Sequence, residues 1–192
     1  MNIFYKSFAI LLALISFSSM AQWTLDAKQS SINFISTKNV NISEVHEFKN
    51  FTGDVQSSGK AKLTIDLMSV ATGIEIRNQR MQEMLFEAAL YPKAVFTTEL
   101  KSKFIEELEI GEIRPLMLQG IIELHGKSKS VQVATMVVKT SKNTVIVNSI
   151  KPLIVDANDF DLQAGVKALQ DIAKLDNIST AVPLTFTLVF SR

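Results

Sequence analysis

Lys60-Ala61-Lys62-Leu63-Thr64-Ile65-Asp66-Leu67 is the stretch on which the fold turns. Ala61, Leu63, Ile65 and Leu67 occupy the odd positions, and Lys60, Lys62, Thr64 and Asp66 the even ones. Side chains of a strand alternate between its two faces, so this spacing predicts a strand with one dry face and one wet face. Working outward, the same period returns. Ile32 and Phe34 alternate with Asn33 and Ile35, and further strands are expected over residues 94–100, 118–124, 131–137, 145–147 and 182–190. In the last of these Leu184, Phe186, Leu188 and Phe190 share a face, and Val189 interrupts the alternation.

Two stretches change period. Residues 78–89 place Met81, Met84, Leu85 and Ala88 at helical spacing, and Tyr91-Pro92 stops the run. Residues 164–175 place Val166, Leu169, Ile172 and Ala173 on one stripe, with Asn177 just beyond. Both are short amphipathic helices that need a β-scaffold to cover them. Turns are marked at Ser57-Ser58-Gly59, Ile110-Gly111-Glu112, His125-Gly126-Lys127-Ser128 and Ser141-Lys142-Asn143. Many short strands with frequent turn signals predict a sandwich or a barrel, and closure into a barrel removes exposed edges. A barrel of about eight strands also has room for one small ligand.

The first 21 residues have the layout of a secretory leader: a positive charge at Lys6, an apolar run over residues 8–17, and a small-residue end at Ser19, Met20 and Ala21. Cleavage is expected after Ala21, leaving one domain over residues 22–192 in the periplasm or outside the cell. The apolar run is too short to span a bilayer, which takes about 20 residues. Of the 20 basic residues only Lys6 falls in the leader, which leaves 19 against 19 acidic. A neutral chain offers no general field for nucleic acid or anionic membrane, so neither is expected as a partner from overall charge. There is no cysteine, which excludes disulfides, thiol nucleophiles and thiolate-held metals.

Several local patterns line up in order. Trp23-x-Leu25-Asp26 and Ser31-Ile32-Asn33-Phe34 are followed by His46-x-Phe48, Phe51-x-Gly53 and Ser69-Val70-x-Thr72. Then come Arg77-Asn78-x-Arg80-Met81, Leu85-Phe86 and Tyr91-Pro92-x-Ala94-x-Phe96. The run Gly120-Ile121-Ile122-Glu123-Leu124-His125-Gly126 and Lys129-x-Val131 complete the series. Over residues 22–192 this order resembles the YceI family of exported, lipocalin-like proteins that bind polyisoprenoid lipids. The resemblance implies a mainly β fold: an elongated eight-stranded antiparallel barrel with two helical insertions, holding a long isoprenoid tail inside. The helical stretch 164–178 is more substantial than the simplest family pattern, and it bears on the shape of the far end of the pocket.

An isoprenoid tail needs apolar lining and few charges. The residues expected to face inward are Phe48, Phe51, Leu63, Ile65, Met81 and Met84, together with Leu85, Phe86, Phe96, Leu118, Ile122 and Phe186. At about 0.8 kcal/mol per buried CH2, one isoprene unit contributes roughly 3 kcal/mol before the tail is ordered. Arg77 and Arg80, expected at the start of the first helix, suit the oxygens of a head group such as a quinone carbonyl or a phosphate. The competing reading makes them a structural pair that caps the loop.

An enzyme would have to be built from little. His46 and His125 are the two histidines and do not have metal-binding spacing. His46, beside Glu44 and Glu47, reads as a surface strand end, and Asp156, Asp159 and Asp161 as a self-bonded turn. No Gly-x-Ser-x-Gly elbow or Gly-rich phosphate loop occurs. The expected function is therefore an exported carrier of an isoprenoid-tailed lipid, with no cofactor beyond that lipid or a quinone. The alternatives are an envelope interaction protein with a packed barrel, paired with a second copy or a membrane protein, and, third, an enzyme acting on lipids.

Overall fold

The computed structural model describes residues 22–192, and the expected leader lies outside the described residues. The chain runs through β1 (Trp23–Leu25), β2 (Ser31–Lys38), β3 (Ile42–Phe48), β4 (Phe51–Val55), β5 (Lys60–Asp66) and β6 (Val70–Ala71). It continues through α1 (Glu75–Arg80), β7 (Lys93–Glu99), β8 (Ile113–Leu124), β9 (Lys127–Ser141), β10 (Thr144–Ser149), β11 (Leu153–Asp156), α2 (Gln163–Ala173) and β12 (Ala181–Ser191).

All pairings between these strands are antiparallel, and short strands laid end to end make eight staves. β12 pairs with β2 through Leu184 to Thr187 and with β1 through Phe190 and Ser191, so β1 and β2 form one stave. By the same logic β3 joins β4, β5 joins β6, and β10 joins β11. β7, β8, β9 and β12 supply the rest, and β12 closes the ring onto the first stave. The kink between β1 and β2 is held by Ser30. Its hydroxyl donates to the Asp26 carbonyl at 2.7 Å and accepts the Val189 N–H at 2.9 Å, which ties the corner to β12.

The alternation at 60–66 places Ala61, Leu63 and Ile65 on the inner face of β5, as expected. Two strands run well past their expected bounds. β8 starts at Ile113 rather than at 118, and β9 spans Lys127–Ser141 rather than 131–137. The outward positions Ile113, Met117 and Ile121 are apolar although exposed, so no wet face marks the first half of β8. β8 and β9 are joined by His125-Gly126, both at positive φ (50° and 72°), a two-residue turn whose twist matches that of the strands.

The first helix differs from the expected 78–89. It starts at Glu75, so Arg77 and Arg80 lie in its last turn rather than at its start, and a π-helical turn follows over Met81–Leu85. The Phe86 N–H donates to the Met81 carbonyl at 2.9 Å, five residues back. That wide turn moves the inward stripe from a four-residue to a five-residue step. Met81, Leu85 and Phe86 therefore face the interior, and Met84 does not. The second helix closely matches its expected span. α2 lies across the π turn at Gly165, where an added Cβ would sit 2.5 Å from the Met84 carbonyl oxygen and 2.7 Å from the Leu85 Cα. Backbone cannot yield as a side-chain tip can. Gly165→Ala is expected to lower stability by about 1–3 kcal/mol, despite alanine's better helix propensity, as read from urea unfolding midpoints.

Candidate ligand-binding site

The barrel is hollow. A cavity of about 590 Å³ runs along its axis, and its wall is overwhelmingly aliphatic and aromatic. Phe48, Leu63, Ile65, Met81, Leu85 and Phe86 line it, as do Phe96, Leu118, Ile122 and Phe186. Phe96 on β7 and Phe186 on β12 belong to staves half a turn apart, so the two rings face each other across the bore. Phe51 and Met84 are not part of the wall. Phe51, opposite Ile65 at the start of β4, is buried in the packed core. Met84 is turned aside by the π-helical register. The stripe of α2, expected to need cover and to bear on the far end of the pocket, lines the cavity through Val166, Leu169, Ile172 and Ala173. This helix shapes the mouth, and the opposite end is shaped by other residues.

That far end is closed by residues 101–112, which bring Phe104 and Ile105 against the void. Lys139 holds them. It is buried, and its Nζ donates to the carbonyls of Ile105 (3.1 Å), Glu106 (3.4 Å) and Leu108 (2.9 Å). An unpaired buried ammonium is costly, and three carbonyls aimed at it are what make the position tolerable.

The mouth carries the cavity's polar group. Lys38 and Ser36 come from β2, Glu44 and His46 from β3, and Arg77 and Arg80 from α1. Glu44, His46 and Phe48, two residues apart along β3, share its inner face. His46 is therefore 4% exposed rather than a surface strand end. Sequence reasoning missed this because Glu44-Val45-His46-Glu47 shows no wet-and-dry alternation. A signal was nonetheless available in the two-residue step back from Phe48.

The Glu44 carboxylate accepts from Lys38 Nζ at 2.5 Å and from Arg77 Nη1 at 2.8 Å through one oxygen. The hydrogen bond from Lys38 holds its pKa below the usual carboxylate value; burial opposes this, and the charge of Arg77 adds to it. Arg77 Nη2 donates to the Thr72 carbonyl at 2.6 Å. Arg77 is thus partly the structural residue of the competing reading, but its Nε is buried with no partner among the described residues. The Arg80 side chain makes no hydrogen bond or ion pair among the described residues. His46 Nε2 shares a 2.8 Å hydrogen bond with the Ser36 hydroxyl, and its Nδ1 is buried and unpartnered. These vacant hydrogen-bonding positions lie at the mouth of the cavity.

Burial, followed by the charge of Arg77, lowers the His46 pKa below 6.5, so the folded state prefers the neutral ring. As pH falls through 6.5 the unfolded chain takes up this proton before the folded one, and folding stability drops until the folded pKa is reached. The urea midpoint is expected to fall between about pH 7 and about pH 5 more steeply in the native sequence than in His46→Gln. Equal slopes would refute the buried, neutral state.

The remaining clusters have structural explanations. Asp156 Oδ1 accepts the Asn158 N–H at 2.9 Å, the expected self-bonded turn, and Lys129 and Lys127 pair with Asp159 and Asp161 at 2.7 Å. His125 bridges the Phe160 carbonyl (3.1 Å) and Glu87 (2.9 Å) beneath the Tyr91 ring. Among the described residues no helix is long and apolar enough to cross a membrane.

Comparison with solved structures finds the same architecture. A polyisoprenoid-binding domain from Saccharophagus degradans, implicated in plant cell wall breakdown, superposes with a TM-score of 0.86 at 36% identity. The match covers 88% of this chain and 97% of that one. BcnA of Burkholderia cenocepacia shares the fold at 23% identity and a TM-score of 0.67, over 86% of this chain and 98% of its own. The Campylobacter jejuni YceI protein does so at 17% identity and 0.54, over 77% and 84%. No curated protein sequence matches the chain. The model of the YceI-like domain matches residues 23–190, from the first strand of the barrel into its last, and the chain belongs to the YceI-like family.

Proposed function

We propose that the protein is an exported carrier that sequesters an isoprenoid-tailed lipid, a polyisoprenoid or a quinone, inside its barrel. The observation that carries this reading is the 590 Å³ apolar void. Small barrels commonly fill their centres with side chains. Here most inner residues of β5, β7, β8 and β12, among them Leu63, Phe96, Leu118 and Phe186, remain only partly buried because the space between them is open. A void of this size falls in the range of ordinary ligand pockets, and an empty apolar cavity is destabilising unless something occupies it. The 36% identical relative, itself a polyisoprenoid-binding domain, supports the same class of ligand. Arg77, Arg80 and His46 would meet the head group, and the tail would lie against Leu63, Phe96, Leu118 and Phe186. Binding is by burial, with no chemistry on the lipid. Export rests on the leader-like first 21 residues.

The test is lipid extraction and mass analysis of the protein isolated from its own cells, together with N-terminal sequencing. An isoprenoid lipid in near-stoichiometric amount and a chain starting at Gln22 are expected. Protein that carries no extractable lipid would overturn the carrier, and a retained Met1 would overturn export.

A further inference from the structure

Three isoleucines belong both to the cavity wall and to the outer surface. Ile74, just before α1, Ile76 within it, and Ile172 near the end of α2 line the void and are 45–51% exposed. Two more aliphatic side chains stand at this end. The turn between β2 and β3 carries Val40, 74% exposed, and β3 begins with Ile42, about half exposed. That turn is fastened to the segment following α2. The Asn39 N–H donates to the Asn177 carbonyl (3.1 Å), the Val40 N–H to Asn177 Oδ1 (3.2 Å), and the Asp176 N–H to Asn39 Oδ1 (2.9 Å). Five aliphatic residues from separate parts of the chain therefore edge a single opening.

Val40 adds an independent observation. Its φ is +68°, a left-handed conformation that a β-branched residue adopts only at a cost, and glycine or asparagine would take it more easily. A strained valine with its side chain in water gains nothing from packing. Residues held in such conformations concentrate at functional sites such as ligand clamps and switch regions. Just inside the lip, Lys38, Arg77 and Arg80 face a single carboxylate, Glu44, and Arg80 is unpaired among the described residues.

We propose that this lip docks on a bilayer containing anionic phospholipid. Ile74, Ile76, Ile172, Val40 and Ile42 enter the headgroup layer, and the cations behind them face lipid phosphates. The proposal rests on the carrier reading and adds where loading takes place. A tail that passes from hydrocarbon into a hydrocarbon-lined void between apolar lips never crosses water, and crossing water is the costly step for such a ligand. Amphipathic surfaces that lie in the bilayer interface have this composition, aliphatic residues flanked by Lys and Arg.

The experiment is flotation of the polypeptide 22–192, which contains every described element of the barrel, with two kinds of vesicle. One is phosphatidylethanolamine with phosphatidylglycerol, and the other phosphatidylcholine alone. Binding to the first is expected to exceed binding to the second, and Ile74→Ser/Ile76→Ser/Ile172→Ser should weaken it about tenfold or more. Val40 and Ile42 do not line the cavity, so Val40→Ser/Ile42→Ser should weaken flotation several-fold and leave lipid already carried in place. Val40→Gly should raise the melting temperature by relieving the backbone and still weaken flotation, a combination that a purely structural role does not produce. Failure of the native sequence to float with either vesicle, or equal flotation of the triple variant, would overturn the docking. Flotation that depends on the lip in a protein carrying no lipid would uphold docking and overturn the carrier, so the two can fail separately.

Discussion

Leu63→Trp/Val147→Trp is expected to cut the amount of co-purifying isoprenoid lipid at least tenfold, with the melting temperature unchanged or higher. Leu63 lies on β5 and Val147 on β10, staves half a turn apart, and both line the void. Two indoles aimed at each other across the bore would close it to a chain of methyl-branched hydrocarbon. The stability half of the prediction is what makes the test sharp. In a packed core, adding ring atoms forces neighbours off their rotamers and typically costs about 1–3 kcal/mol per site. In an open cavity the same atoms meet walls that had no partner, and dispersion contacts are gained instead. Loss of lipid with stability retained supports a ligand channel. A double variant that unfolds while the single variants are also destabilised would mean the interior is already full.

The second large effect is expected at the far end. Lys139→Met should lower the free energy of unfolding by about 3 kcal/mol, as measured by urea titration, because it leaves the carbonyls of Ile105, Glu106 and Leu108 facing a thioether that cannot donate. The methionine matches the lysine stem in length, so lost packing is a minor part of the change. Residues 101–112 should then become the first segment to exchange amide hydrogens, since few other bonds anchor them. A change within a few tenths of a kcal/mol would show that the plug is held by the burial of Ile105 and Leu108 alone. Together the two variants probe a tube that is open at one end and stoppered at the other.

The architecture was largely legible in the order of residues because the barrel has one side against water and one side away from it. β5 announced itself through Ala61, Leu63 and Ile65, and the outline of β12 through Leu184, Phe186, Leu188 and Phe190. Ten of the apolar positions expected to face inward do line the cavity. Where the pattern failed, the cause is local. Ile113 and Met117 are apolar on an outward face, which hid the first half of β8, and a π turn shifted the inward stripe so that Leu85 and Phe86 face the interior as expected and Met84 does not.

The tertiary structure alone decided whether the centre of the barrel is full or empty, and which polar residues stand at its mouth. Alternation reports only which face of a strand is dry; the diameter of the closed ring, set by how eight staves and their staggered registers meet, determines whether opposite walls touch. The pairing of β2 with β3 gathers Lys38, Glu44 and His46, and the placement of α1 over them brings Arg77 to Glu44, a contact between residues 33 apart. No local period encodes such a meeting. Side-chain chemistry dictated a barrel dry on the inside, and long-range pairing made it a vessel with a polar collar, a greasy lip and a closed base.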